Sequence, residues 1–251
     1  MARIMTEEST LTRRRKALSK ETQTLQRLLR VEAGLAAALL LAGLAWYVWQ
    51  GSGALLGLGL FLALCFGAHW LRIRQNSRED RIVQAGLRGE TEVTRQLGEA
   101  LDNDHYIFND VVIKNGRQSA QIDQLIVCPK GLFAIETKNW RGHIEGREDD
   151  ERWTQIKQPD TSGIKVYNPI RQTRRHVEVL TGALKRAGLP APPIQSMVVF
   201  LSRNTTFDVP DASIPVVRPA EAVSYIAKHE VAHACTEAEI APLVEWLMKN
   251  Q

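Results

Sequence analysis

Hydrophobic and polar positions fall into three regimes along this chain. Residues 1–30 are polar and charged, with scattered leucines such as Leu25, Leu28 and Leu29. From Ala33 to Leu71 there is no Asp, Glu, Lys or Arg. After Arg72 the pattern becomes that of a water-soluble α/β domain. The uncharged block is too long for one membrane crossing, which takes about 20 residues. Gln50-Gly51-Ser52-Gly53 interrupts it with a polar, glycine-rich turn. The pattern predicts two helices, at about 33–49 and 54–71, forming a transmembrane hairpin. Trp46, Tyr47 and Trp49 flank the turn and Trp70 lies at the far end, where interfacial aromatics belong. Arg13, Arg14, Arg15, Lys16, Arg27 and Arg30 precede the block, and Arg72, Arg74 and Arg78 follow it. The turn is uncharged, so the positive-inside rule predicts that both chain ends are cytoplasmic, at the cell (inner) membrane. Residues 1–30 predict either a helix on the anionic leaflet or a partly disordered tail.

In the soluble part, Val83, Leu87, Val93, Leu97 and Leu101 mark one face of a helix over 82–101. Glu90 shares that face, whereas Glu92, Gln96 and Glu99 lie opposite. A carboxylate on an apolar stripe costs free energy unless it is paired. Tyr106–Ile113 predicts a strand kinked at Asn109-Asp110. Ile122–Cys128 and Leu132–Lys138 predict an antiparallel hairpin turning at Pro129–Gly131. Asn168 and Pro169 predict the start of a helix carrying Gln172. Ile194–Leu201 and Ile214–Val217 predict further strands, and 219–229 and 236–249 two closing helices. Trp140, His143 and Trp153 are expected in the core. His176 has no evident partner and is expected to be structural or exposed.

Alternation places Asp123 on one face of the first hairpin strand and Glu136 and Lys138 on one face of the second. The start of the first strand lies beside the end of the second, so the three converge. Adjacent carboxylates repel unless a cation or shared proton relieves them. Oxygen-rich sites of this kind suit Mg²⁺ or Mn²⁺. The expected chemistry is phosphodiester hydrolysis: Asp123 and Glu136 hold the metal with help from the Thr137 carbonyl, Glu90 completes the shell or holds a second metal through water, and Lys138 orients or deprotonates the water or neutralises the transition state.

Four ordered motifs carry a family resemblance. They are Gly89-Glu90-x-x-Val93, Ile122-Asp123-Gln124-Leu125-Ile126-Val127, Gly131-Leu132-Phe133-Ala134-Ile135-Glu136-Thr137-Lys138 and Asn168-Pro169-x-x-Gln172. Together they resemble the nuclease-related domain, NERD, of the PD-(D/E)xK nuclease superfamily. The resemblance implies an α/β, restriction-endonuclease-like fold: a mixed central sheet flanked by helices, with an αβββαβ core. It implies that Glu90, Asp123, Glu136, Lys138 and Gln172 are the site residues, that Mg²⁺ (or Mn²⁺) is the cofactor and that nucleic acid, DNA foremost, is the partner. Ile122 stands where the superfamily's name places proline.

The resulting organisation is a basic segment (1–30), the hairpin (31–72), a juxtamembrane linker or helix (73–83), the nuclease-like domain (84–201) and a closing segment (202–251). Net charge of +4 is compatible with a polyanionic partner, though juxtamembrane basic residues supply part of it. Cys65, Cys128 and Cys235 form no C-x-x-C pair, so no disulfide framework or zinc site is expected. The alternative function is a catalytically inactive nucleic-acid-binding or scaffold protein that keeps the nuclease fold.

Overall fold

The computed structural model describes residues 1–5, 10–50 and 54–250, and they form two compact units. One unit is Thr10–Ala85; the other joins Met1–Ser9 to Gly86–Gln251.

The first unit contains α1 (Thr10–Gln50) and the first part of α2 (Ala54–Ala100). Of the expected turn Gln50-Gly51-Ser52-Gly53, Gln50 ends α1 and the other three lie outside the described residues. Arg14 pairs with Glu79 (3.6 Å), Glu21 with Arg72 (3.1 Å) and Glu32 with His69 (2.7 Å). A Cβ added at Gly59 would stand 2.7 Å from Leu40 Cδ2. Partner numbers fall as α1 advances, so the two helices run antiparallel. Residues 10–30, expected as a surface helix or a disordered tail, are the first turns of α1. Among the described residues, one helix, Thr10–Trp49, is long and apolar enough to cross a membrane. Leu41, Leu44, Val48 and Trp49 are exposed on it, as are Leu60, Phe61, Leu64 and Leu71 on α2.

The second unit is a mixed α/β structure with two sheets. The larger sheet has the order β1-β2-β3-β4-β8-β10, built from Arg3–Met5, Tyr106–Asn115, Gln118–Cys128, Gly131–Lys138, Ile194–Phe200 and Val216–Val217. Strands β2, β3 and β4 are antiparallel, β8 lies parallel to β4, and helix α3 (Pro169–Arg186) precedes β8. The order α2-β2-β3-β4-α3-β8 is the expected αβββαβ sequence. Leu125, Val127, Leu132 and Ala134 pack with Val179, Leu180 and Ala183 of α3 and Leu243 and Leu247 of α5 (Glu237–Lys249). Ile126, Phe133 and Ile135 pack on the other face with Val93 and Leu97 of α2 and Ile226 of α4 (Pro219–Lys228). Helices thus cover both faces, which is why β4 reads as an almost unbroken apolar run.

Two features depart from the sequence-based expectation. Arg3–Met5, expected within a basic tail, form an edge strand parallel to Tyr106–Phe108. Residues 139–168 carry β5 (Gly142–Glu145), β6 (Arg152–Lys157) and β7 (Asp160–Tyr167), which join β9 (Thr205–Asp208) in a second sheet ordered β7-β6-β5-β9. Of the three side chains expected in the core there, Trp153 is fully buried and Trp140 packs against its cluster. His143 is instead partly exposed, beside Thr206.

Asn168 joins this insertion to α3. Its Oδ1 accepts from the amides of Ile170 and Arg171, and its Nδ2 donates to the carbonyls of Arg147, Glu148 and Asp150. The residue is fully buried. Asn168→Ala removes a helix cap and leaves buried carbonyls unpaired. It is expected to destabilise the chain by about 2–4 kcal/mol, read as a drop in the urea midpoint. An unchanged midpoint contradicts this.

Candidate active site

The β3–β4 ladder ends at the pair Gln124–Ile135. Continued by one step it would pair Asp123 with Glu136, but the strands separate there. Asp123 Oδ2 instead accepts from the Thr137 amide at 2.8 Å. The regular pairs Leu125–Ala134 and Val127–Leu132 put Glu136 in phase with the face that α3 covers, and Asp123 sits where the alternation of β3 breaks, between Ile122 and Leu125, both packed in that cluster. The first half of α3 reaches this end of the sheet. Lys138 Nζ donates to Glu136 Oε1 at 2.5 Å and to Gln172 Oε1 at 3.2 Å, and lies 5.6 Å from the centre of the Trp140 ring. His176, one turn after Gln172, places Nδ1 3.5 Å from Glu136 Oε2.

Glu90 arrives from α2 on the other face. A Cβ at Gly89 would stand 3.0 Å from Asn139 Cβ, so glycine permits the close approach of α2 to the end of β4. The buried Gln124 links the pieces: its Oε1 accepts from Thr137 Oγ1 at 2.6 Å, and its Nε2 faces the Glu90 carbonyl at 3.5 Å.

Burial, reinforced by the charges of Asp110 and Glu136, pushes the Glu90 carboxyl up to about 8. Burial and the charges of Glu136 and Glu90 raise Asp123 well above the ordinary carboxylate range, against the Lys138 charge and the Thr137 amide. Lys138 shows the converse. Burial disfavours its charge, but Glu136 and Asp123 outweigh that and hold its pKa above the ordinary lysine value. Burial lowers the pKa of His176. Asp123, Glu90, Lys138 and Gln172 nevertheless keep partly exposed surface, so a ligand can reach them.

The five residues singled out in the sequence therefore meet at one end of the sheet. Three more were missed. Asp110 falls at the break in the β2–β3 register between the pairs Asn109–Gln124 and Val111–Ile122, in the left-handed conformation (φ 53°), and its carboxylate accepts from Gln121 at 2.6 Å. The Asn109-Asp110 kink was its only signal in the sequence. His176 and Gln124 act through contacts between elements. The i, i+4 spacing of Gln172 and His176 is the one hint that the two share a face.

Among the described residues, no three His, Cys, Asp or Glu side chains stand at metal-ligating spacing. The donors that fit a cation are the two carboxylates Asp123 and Glu136. That number is what Mg²⁺ takes alongside water and substrate oxygens. Glu136 Oε2 is buried without a hydrogen-bond partner, an unsatisfied anionic oxygen that a cation would satisfy. A separate cavity of about 600 Å³ lies at the far end of β3–β4, by Pro193, His229 and Cys235. It is remote from this cluster.

Residues 85–201 match the family model of the nuclease-related domain, NERD, consistent with a PD-(D/E)xK nuclease-like domain. An uncharacterized protein of Bacillus anthracis is 31% identical over 96 residues, which cover 38% of this chain and 44% of that protein. No solved structure matches the chain.

The raised Glu90 pKa has a consequence for stability. Between about pH 4.5 and about 8 the folded chain holds a proton on Glu90 that the unfolded chain has released. Its contribution to stability is therefore complete below pH 4.5 and is lost as pH rises to about 8, by up to about 1.4 kcal/mol per pH unit. In the presence of chelator, the thermal midpoint of wild type is expected to fall more steeply from pH 5 to 8 than that of Glu90→Gln. Equal slopes contradict the assignment.

Proposed function

We propose that this chain, which carries a nuclease-related domain over residues 85–201, is a membrane-tethered, Mg²⁺-dependent nuclease acting on nucleic acid, DNA foremost. The observation that carries the reading is the convergence of Asp123, Glu136 and Lys138 where the β3–β4 ladder opens, with Glu136 Oε2 buried and unsatisfied. Asp123 and Glu136 hold the cation. When bound, Mg²⁺ (or Mn²⁺) supplies Lewis-acid polarisation of the scissile phosphoryl group. Lys138, kept charged by its carboxylate neighbours, neutralises charge developing on the phosphoryl oxygens. Gln172 fixes the ammonium's direction. Glu90 adds a third carboxylate, protonated at neutral pH until a cation displaces the proton. Arg171 and Arg175 are exposed on the same half of α3 and offer contacts to backbone phosphates.

The membrane reading rests on the uncharged block 33–71 and on the exposed apolar side chains of both helices. Connectivity supports two crossings. Arg3–Met5, before α1, pair with Tyr106–Phe108, after α2. The chain on either side of the hairpin belongs to one sheet and therefore lies on one side of a membrane, so the crossings between are even in number. The basic flanks put that side in the cytoplasm.

Full-length protein in detergent, tested on single- and double-stranded DNA and on RNA, is expected to cleave with Mg²⁺ or Mn²⁺ and not with chelator. Asp123→Ala should abolish cleavage, and Lys138→Ala should slow it about 10²–10³-fold. Cleavage that survives Asp123→Ala contradicts the site. Salt-sensitive DNA binding without cleavage supports the inactive nucleic-acid-binding alternative. In sealed membrane vesicles, tags at residues 1 and 251 should be cut by protease from the same side. Protection of one tag only contradicts the two-crossing topology.

A further inference from the structure

Helix α3 presents two polar side chains to the end of β4, one turn apart. Gln172 accounts for one half of the Glu136–Lys138 pair by accepting from Lys138 Nζ at 3.2 Å. The other half is incomplete. Glu136 is about 1% exposed. Its Oε1 takes the lysine at 2.5 Å, while its Oε2 is buried and receives no hydrogen bond. The imidazole of His176 faces that oxygen, with Nδ1 at 3.5 Å and a side chain only 12% exposed. A buried carboxylate oxygen without a hydrogen bond is costly, and the lysine on Oε1 holds the group at one oxygen only. A carboxylate offers about four lone-pair sites. A donor on one lone pair of Oε2 therefore leaves another for a cation, and it holds the group in the rotamer that the cation needs.

We propose that His176 is a positioning residue for Glu136: its Nδ1–H holds the carboxylate oxygen that Lys138 leaves free and so presets it for the divalent cation. The inference rests on the metal-dependent reading of the site. It assigns His176 no contact with substrate and no part in proton transfer. Partners behind metal-ligating groups are worth about 10–100-fold in metal affinity or activity. His176 and Gln172 together make α3 a two-point clamp on the Glu-x-Lys strand.

The test is Mn²⁺ binding to the full-length protein in detergent, followed by the electron paramagnetic resonance of free Mn²⁺, with cleavage measured alongside. His176→Ala is expected to raise the Mn²⁺ dissociation constant about tenfold or more. His176→Asn places an amide N–H where Nδ1 stands, and it should recover most of the lost affinity. A merely space-filling histidine would not discriminate between the two variants. If His176→Ala binds Mn²⁺ as wild type does, the inference fails while the nuclease reading stands. If His176→Ala does not fold, His176→Asn decides alone, and affinity as poor as that of Asp123→Ala overturns the proposal. If wild type binds no Mn²⁺ and does not cleave, the underlying reading falls and the inference with it.

Discussion

Carboxylates buried side by side need positive charge, and the end of the β3–β4 ladder supplies less than they need. Asp123 and Glu136 come together where the strands separate, Glu90 approaches from the opposite helix, and Asp110 stands across the sheet. Lys138 bonds one of them, Glu136, and is shared with Gln172. The imbalance shows in two ways. Glu90 and Asp123 are pushed to hold protons, and Glu136 Oε2 is left without a hydrogen bond. A surface salt bridge would show neither. The fold supports this arrangement through apolar cover on both sheet faces, the Gln124–Thr137 link and the five-bond anchor at Asn168. These fix the backbone on which the charges sit.

Much of the site was legible because it follows from two periods. The strand period of two and the turn at 129–131 bring Asp123 to the end of β4 that carries Glu136 and Lys138. The helical period of 3.6 suffices to separate Glu90 from Glu92, which is partly exposed and bound to Arg95. What was not legible depends on contacts between distant segments. His176 acquires its partner only when α3 docks on β4, 40 residues away in number. Asp110 joins the cluster through a left-handed backbone turn that no local pattern required. The second sheet escaped notice because its strands are short, interrupted by Gly142 and Gly163, and paired partly with β9, some 60 residues later.

The N-terminal strand is the most economical departure from expectation. Three residues carry no periodicity, and their pairing with Tyr106–Phe108 is recognisable only in three dimensions. Arg3 reinforces it, donating to the Tyr106 hydroxyl at 2.7 Å and lying over the ring. The strand ties the chain before α1 to the sheet after α2. The membrane reading thereby gains a topological argument independent of the charge of the flanking residues.

The most direct test of the charge deficit is the proton balance of cation binding. Calorimetric titration of Mg²⁺ into the full-length protein at pH 7, in buffers of different ionisation enthalpy, counts the protons released. With Glu90 pushed up to about 8 and Asp123 raised well above its ordinary range, the account predicts release of about one proton or more per Mg²⁺ bound. Release should diminish in Glu90→Gln. Binding heats independent of buffer, or no binding at all, would contradict it.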